Sequence, residues 1–280
     1  MTGRQPAQRW HRILQRAVVL AGLASSVSMV EAGEVRVAVA ANFIAPAREL
    51  VAAFEASTGH DVVLSSASTG KLYAQITQGA PFDVLLAADS MTPERLEEQG
   101  YAVAGTRFTY AVGELVLWSN GARLTTNNGE AILRGGDFAH LALANPRIAP
   151  YGAAAMEVVR RLGLGERLKD KLVYAEDVGQ AFQFAATGNA ALAFVARSQT
   201  LSGEPARGGS AWPVPAGWYT PIVQQAVMLR DAQAGVAARD FLAYLRGTEA
   251  AALVRHFGYG RAEYARGAPN TPSPPGTLLP

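Results

Sequence analysis

The chain of 280 residues contains no cysteine. Disulfide bonds, thiolate metal sites and a cysteine nucleophile are therefore excluded, and so is a lipid anchor on an N-terminal cysteine. Histidine is also scarce, since only His11, His60, His140 and His256 are present, and none has a metal-ligand partner at helical spacing. The sequence therefore predicts no cofactor and no bound metal cation.

The common enzyme signatures are missing as well. The chain has no Walker loop, no strand-linked Gly-x-Gly-x-x-Gly and no Gly-x-Ser-x-Gly elbow. Two carboxylate pairs have ordinary explanations, because Glu97-Glu98 lies on a polar helix face and Asp177, after Glu176, is a typical N-cap. No catalytic residue is predicted from these patterns.

Charged residues make up only 17% of the chain and hydrophobic residues 49%. This composition excludes a largely disordered chain and suits one large or two modest globular domains. The four arginines and one glutamate of residues 1–32 contribute +3 to a formal total of +2, which leaves about −1 for the remainder. That balance gives no support for nucleic-acid binding.

The first 32 residues have the pattern of a secretory signal peptide. A basic start precedes an apolar stretch at residues 17–29, and Val30-Glu31-Ala32 has small residues at the spacing that a signal peptidase reads. The stretch is too short and too rich in Gly and Ser for a membrane span, which takes about 20 apolar residues. We expect cleavage of residues 1–32 and a periplasmic protein without a membrane anchor. The proline-rich tail, residues 265–280, is predicted to be disordered.

From residue 34 onward, short apolar runs alternate with amphipathic helical patterns. Residues 35–40 are predicted to form a buried strand, followed by a helix that stops at Gly59. Residues 62–64 are predicted to form a second strand, followed by a polar loop at residues 65–70. This β-α-β-α-β succession predicts a parallel sheet covered by helices, and a similar succession that begins near Glu114 predicts a second sheet.

Small polar residues occupy three of the predicted strand-to-helix turns. In a parallel α/β sheet such turns lie at the carboxyl ends of the strands, where ligands bind. Each following helix presents unpaired backbone N–H groups and a partial positive charge, so the turns could hold an anion without lysine or arginine. Ordinary helix capping is the alternative explanation. The turns are Ala40-Ala41-Asn42, Ser68-Thr69-Gly70 and Glu176-Asp177-Val178.

Longer segments resemble the periplasmic molybdate-binding proteins of ABC transporters. They are similar to that family's opening strand, binding turns, cross-lobe loop and last helices, and they follow one another in the same order over residues 34–261. Consistent order over most of the chain makes the resemblance specific. The matching segments are residues 35–43, 65–76, 79–89, 144–152, 175–182 and 244–260.

The resemblance implies which residues bind the oxyanion. Asn42 and Thr69 stand where the family donates from side chains, and Tyr151 and Val178 stand where it donates backbone N–H groups. Ser68, beside Thr69, is a further candidate for the same turn.

Ala41 is a further candidate beside Asn42. The sequence departs from the family at Ala196, where some members place a tyrosine hydroxyl on the ligand, so one donor is missing unless Tyr151 or another group replaces it. Lys71 lies next to the second turn, and we expect it in solvent on its helix rather than on the anion.

The resemblance also implies a fold and a function. The expected fold is a two-lobed α/β periplasmic binding protein of type II, in which each lobe is a sheet flanked by helices and the ligand lies in the interlobe cleft. Residues 34–112 with 226–264 are expected to form the first lobe and residues 113–225 the second. The implied function is capture of molybdate or tungstate by a monomer that serves a membrane permease.

Two alternatives remain open at this point. The chain could bind another anion, such as sulfate, which differs from molybdate mainly in size. It could also be an enzyme on a similar two-lobed fold, although this would require a nucleophile or a titratable pair in the cleft, and the sequence indicates neither.

Overall fold

The computed structural model describes residues 33–260, apart from residues 122 and 202–207. The predicted signal peptide at residues 1–32 and the predicted disordered tail at residues 265–280 lie outside the described residues. No helix within the described ranges is long and apolar enough to cross a membrane.

Ten strands form two separate five-stranded sheets in the described part of the chain. They are β1 (Glu34–Ala40), β2 (Asp61–Ala67), β3 (Val84–Leu86), β4 (Phe108–Gly113), β5 (Leu115–Ser119), β6 (Leu141–Ala144), β7 (Leu172–Ala175), β8 (Leu192–Ala196), β9 (Ser210–Pro213) and β10 (Ile222–Met228).

Ten α-helices accompany the strands over the same described ranges. They are α1 (Ile44–Thr58), α2 (Thr69–Thr77), α3 (Met91–Glu98), α4 (Gly129–Gly135), α5 (Pro150–Arg161), α6 (Gly165–Leu168), α7 (Val178–Ala186), α8 (Arg197–Thr200), α9 (Gly235–Leu245) and α10 (Thr248–His256). Short 3-10 helices cover Ala41–Phe43, Lys169–Lys171 and Ala216–Trp218.

The first sheet has the strand order β2-β1-β3-β10-β4. Strands β1, β2 and β3 are parallel, and β10 is antiparallel to both β3 and β4. Side chains of β1 alternate between two apolar layers, since Val35 and Val37 face the cluster around Phe54 and Ala38 faces the cluster around Leu72. The sheet is therefore covered by helices on both faces, which is the expected result for parallel strands.

The second sheet repeats this plan with the strand order β7-β6-β8-β5-β9. Strands β6, β7 and β8 are parallel, whereas β5 is antiparallel to β8 and β9. The fold is thus the predicted two-lobed α/β binding-protein fold. Each sheet contains three parallel strands, whose carboxyl ends lie at one edge of that sheet. We call residues 33–113 with 222–260 the first lobe, and residues 115–213 the second lobe.

The chain passes between the sheets at two places. The first passage is the single residue Glu114 between β4 and β5, and the second is the segment 214–221 between β9 and β10. The boundary predicted between residues 225 and 226 falls inside β10, because the whole run from Ile222 pairs with β4. Two short passages are the usual basis of hinge motion between lobes.

Two local elements differ from the sequence-based expectation in ways that affect the turns. Residues 65–67, expected in a loop, continue β2 because each pairs with a residue of β1. Helix α5 begins at Pro150, a favoured first helical residue, within the segment 144–152 that resembles the family's cross-lobe loop. Tyr151 therefore lies in the first helical turn and not in a loop.

Candidate functional site

A small cavity of about 10 Å³ lies where the carboxyl ends of the parallel strands of both lobes meet. Its walls come from the turns after β1, β2 and β3 in the first lobe, and from the starts of α5 and α7 in the second. The structure brings together all six residues that the sequence nominated. The six residues are Ala41, Asn42, Ser68, Thr69, Tyr151 and Val178.

The cavity is lined by helix starts, and none of the described residues in its walls has a basic side chain. Those walls contain the 3-10 helix at Ala41–Phe43 and the first residues of α2, α5 and α7. The first N–H groups of each helix lack partners within the helix, and they carry partial positive charge. Four such helix starts around one small space favour a compact anion over a neutral solute.

Thr69 and Ser68 supply two buried hydroxyl groups to this space. The Thr69 Oγ1 accepts a hydrogen bond from the Ala88 N–H at 3.0 Å, and it keeps its own hydrogen for another partner. Ser68 is 4% exposed, and its Oγ has no hydrogen-bond partner among the described residues. Although Ser68 occupies the N-cap position of α2, its side chain makes no capping bond there. A buried hydroxyl without a partner is costly, and this one is available to a group in the cavity.

Asn42 is buried in the same wall, but its side-chain amide bonds other residues of the protein and not a group in the cavity. Its Nδ2 donates to Gln224 Oε1 at 2.9 Å and to the Tyr259 hydroxyl at 3.0 Å. Both amide hydrogens are therefore used, and the expected side-chain donation to the ligand does not fit this arrangement. Its place at the centre of the 3-10 helix makes the backbone N–H the group that Asn42 can offer instead.

Tyr151 lies at the second residue of α5, where backbone N–H groups are unpaired within the helix. Its side chain is 2% exposed, and its hydroxyl accepts a hydrogen bond from Gln224 Nε2 in the first lobe at 3.2 Å. The ring therefore spans from the second lobe to the first and closes one side of the cavity. The phenol group lies in the buried interlobe contact.

Val178 is the first residue of α7, and Asp177 caps that helix by accepting from the Gln180 N–H at 3.0 Å. Asp177 also lines the cavity, so the lining is not free of carboxylates. Capping holds Asp177 at the helix start and orients the neighbouring Val178 N–H. The Val178 side chain is apolar, so its N–H is what it can contribute to an anion.

Ala196 is fully buried and is not among the residues that line the cavity. Its N–H donates to Gln199 Oε1 at 3.0 Å, and Gln199 Nε2 donates to the Val178 carbonyl oxygen at 3.2 Å. Gln199 thus joins the start of α8 to the start of α7. The missing tyrosine hydroxyl is not replaced at this position, and the unpartnered hydroxyl of Ser68 lies on the opposite wall.

Lys71 lies outside the cavity, as expected. Its Nζ pairs with Glu176 Oε2 at 3.1 Å, and both side chains are more than half exposed. An exposed pair of this kind contributes about 1 kcal/mol or less. It nevertheless joins the two lobes at the mouth of the cavity, since Lys71 belongs to the first lobe and Glu176 to the second.

Four buried polar side chains behind the cavity were missed by the sequence analysis. Tyr259 donates to the Asn42 carbonyl oxygen at 2.8 Å, and Ser198 of the second lobe donates to the same oxygen at 3.1 Å. Tyr110 and Gln224 share a hydrogen bond of 3.0 Å. The one signal in the sequence was the amide pair Gln224-Gln225, which interrupts an otherwise apolar strand.

The phenols around the cavity remain neutral at physiological pH. Burial raises the pKa of Tyr110 and of Tyr151 well above the ordinary value, and burial also raises the pKa of Tyr259. A phenolate here would lose its hydration and would repel a bound anion. The tyrosines therefore act as neutral hydrogen-bonding groups. No cluster of His, Cys, Asp or Glu suited to a metal ion occurs in the described ranges.

Comparison with known proteins agrees with this arrangement. A family model described as a bacterial extracellular solute-binding protein matches residues 35–260. The molybdate-binding protein of Azotobacter vinelandii is 49% identical over 88% of this chain and 98% of its own length, and that of Rhodobacter capsulatus is 49% identical over 81% and 88%. A solved structure of the Azotobacter vinelandii periplasmic molybdate-binding protein is similar at a TM-score of 0.77 with 41% identity, covering 81% of this chain and 99% of that one.

Proposed function

Because the chain belongs to the bacterial extracellular solute-binding protein family, we propose that it captures molybdate, or the similar anion tungstate, between its two lobes. The observation that carries this proposal is the small cavity walled by four helix starts and two buried hydroxyls. These groups are donors, and a fully ionised tetrahedral oxyanion can accept from all of them. Two relatives at 49% identity over most of their length carry the name of molybdate-binding proteins, which supports the same ligand.

Binding and closure are coupled in this proposal. The donors come from both lobes, so an anion makes its full set of hydrogen bonds only when the lobes are together. The ligand therefore shifts the population toward the closed state by its differential affinity for that state. The closed form would then be the species that a membrane permease of an ABC importer recognises.

Selection among anions would rest on size and protonation. A donor lining disfavours protonated phosphate, which needs an acceptor for its own hydrogen. Sulfate is fully ionised but smaller, so the cavity dimensions must discriminate against it.

The proposal extends to the location of the protein. Membership of an extracellular solute-binding family supports a location outside the cytoplasm. We propose the periplasm, reached by cleavage of residues 1–32, with no membrane anchor and a monomeric state. Mass analysis of the exported protein tests the cleavage. A mature chain that begins at Gly33 is expected, and one that retains Arg12 and Arg16 contradicts it.

A ligand screen by thermal unfolding tests the proposed function. A ligand that binds only the folded protein stabilises it by about 2.7 kcal/mol at a hundredfold excess over its dissociation constant. Molybdate and tungstate are expected to raise the melting temperature, and sulfate and phosphate at the same concentration are expected to raise it much less. A rise with sulfate alone would assign the protein to a different anion.

A further inference from the structure

Gln224 is a buried amide at the junction between the lobes. It lies near the start of β10, directly after the second passage between the sheets, and it is 0% exposed. A fully buried amide is costly unless its polar atoms are paired. Its neighbour Gln225 points to the other side of the strand and pairs with Arg107 and Thr109, at a partly buried site away from the cavity.

The Gln224 amide joins residues of both lobes. Its Oε1 accepts from Asn42 Nδ2 at 2.9 Å and from the Tyr110 hydroxyl at 3.0 Å, both within the first lobe. Its Nε2 donates to the Tyr151 hydroxyl at 3.2 Å, in the second lobe. One side chain thus connects two residues that line opposite walls of the cavity, Asn42 and Tyr151.

Gly113 provides the space that this contact needs. It is the last residue of β4, next to the first passage between the lobes. A Cβ added at Gly113 would collide with the Tyr151 hydroxyl and would lie 2.7 Å from Gln224 Nε2. The Tyr151 phenol and the Gln224 amide therefore meet over a backbone that carries no side chain at this point.

We propose that Gln224 is a positioning residue for ligand capture: it holds the Asn42 turn in place and locks Tyr151 against the first lobe in the closed state. The contacts to Asn42 and Tyr110 lie within one lobe and survive opening. The contact to Tyr151 crosses between the lobes and is made only on closure. Gln224 is not among the residues that line the cavity, so it acts on the ligand through Asn42 and Tyr151.

This role predicts an effect on ligand release more than on ligand encounter. Loss of the interlobe bond alone destabilises the closed complex and leaves the open form that meets the ligand unchanged. Loss of the bonds to Asn42 and Tyr110 weakens the Asn42 turn in both forms. A neutral hydrogen bond contributes about 0.5–1.5 kcal/mol net, which corresponds to roughly a twofold to tenfold change in a rate or an affinity. Gln224→Met keeps the length of the side chain and removes both its donor and its acceptor.

The test is a double-mutant cycle on the full exported chain, with molybdate as the probe and stopped-flow rates as the readout. Tyr151→Phe is expected to raise the molybdate dissociation rate about twofold to tenfold with little change in the association rate. Gln224→Met is expected to raise the dissociation rate at least as much, because it also removes the bonds to Asn42 and Tyr110. The double variant is expected to release molybdate no faster than the worse single variant, because both changes remove the same bond. Gln225→Met is the matched control, and its rates should equal those of the parent.

Different outcomes separate this inference from the proposed function on which it rests. A parent protein that does not bind molybdate contradicts the proposed function itself. If the parent binds but Gln224→Met releases at the parental rate, or the two changes multiply in full, the positioning role is overturned. An equal loss in Gln225→Met also overturns it. If Gln224→Met fails to fold, Tyr151→Phe alone decides the question. A Tyr151→Phe protein that releases molybdate at the parental rate would show that the interlobe bond does not hold the closed state.

Discussion

The backbone N–H of Gly70 donates to the carbonyl oxygen of Ile148 at 2.9 Å, and this bond joins the first turn of α2 in one lobe to the segment before α5 in the other. A Cβ on Gly70 would lie 3.0 Å from the Cα, the Cβ and the carbonyl oxygen of Ile148. The lobes therefore approach each other, backbone to backbone, directly beside the cavity. Thr69 and Ala149, the neighbours of this contact, both line the cavity.

Gly70→Ala should separate the stability of the fold from the stability of the closed state. Alanine improves the helical propensity of α2 by up to about 1 kcal/mol, so thermal unfolding without ligand should shift upward or stay unchanged. The added methyl group keeps Ile148 away, so molybdate affinity should fall. Calorimetry of the variant should show a weaker affinity for molybdate, and thermal unfolding without ligand should show an equal or higher melting temperature. A variant with parental affinity would show that the lobes need not approach this closely.

Thr69 should contribute through its hydroxyl and not through its shape. Thr69→Val keeps the volume but leaves the Ala88 N–H without its acceptor and removes the donor to the anion. A hydrogen bond to a charged partner contributes about 1.5–3 kcal/mol, so affinity should fall at least about tenfold. Thr69→Ser retains the hydroxyl and should bind within a few-fold of the parent. If the Thr69→Val and Thr69→Ser variants bind molybdate equally well, the Thr69 hydroxyl does not contact the anion.

Ser68→Ala should have opposite effects on the free and the ligand-bound protein. Removal of a buried hydroxyl that lacks a partner relieves a desolvation cost, so the ligand-free protein should become more stable. The same change removes a donor that can compensate for the alanine at position 196, so molybdate should bind more weakly. Unfolding curves with and without molybdate would measure both. If Ser68→Ala raises the free energy of unfolding as much in the presence of molybdate as in its absence, Ser68 does not bind the anion.

Most of the architecture could be predicted from the sequence, because apolar runs and amphipathic helical patterns alternate along the chain. The residues around the cavity were accessible through the resemblance to the molybdate-binding family, since small polar residues in strand-to-helix turns are also ordinary helix caps. Edge strand β4 was missed, since Thr109 and Tyr110 interrupt the apolar pattern that identifies a buried strand. Residues 65–67 looked like a loop because serines rarely favour strands, and pairing with β1 overrides that preference.

Side-chain orientation was the part that the sequence could not supply. Asn42 was correctly located in a turn at the cavity, but the direction of its amide depends on Gln224 and Tyr259, which lie 182 and 217 residues away along the chain. Neither partner has a local pattern that links it to Asn42. Long-range polar networks of this kind become visible only when the strands are paired in space.

Ligand affinity should be insensitive to moderate alkali. Burial raises the pKa of Tyr151 and of Tyr110 well above 10.0, so both phenols stay neutral at pH values where an exposed tyrosine ionises. Since the folded state holds these protons more tightly than the unfolded state, stability is full below about pH 10 and is lost as the pH rises above it. Titrations from pH 7 to 10 should give a constant affinity, and unfolding should begin before affinity is lost. A fall in affinity near pH 8 or 9 in a folded protein would contradict neutral phenols.

Calorimetric titration of the mature protein with molybdate, tungstate, sulfate and phosphate tests the central claim most directly. The account predicts one site per chain for molybdate and tungstate, with binding at least about a hundredfold tighter than for sulfate, a difference of about 2.7 kcal/mol. Phosphate should bind more weakly still, because its remaining hydrogen needs an acceptor and the helix starts and hydroxyls of the wall offer donors. No heat with molybdate, or tighter binding of sulfate or phosphate, would contradict the account.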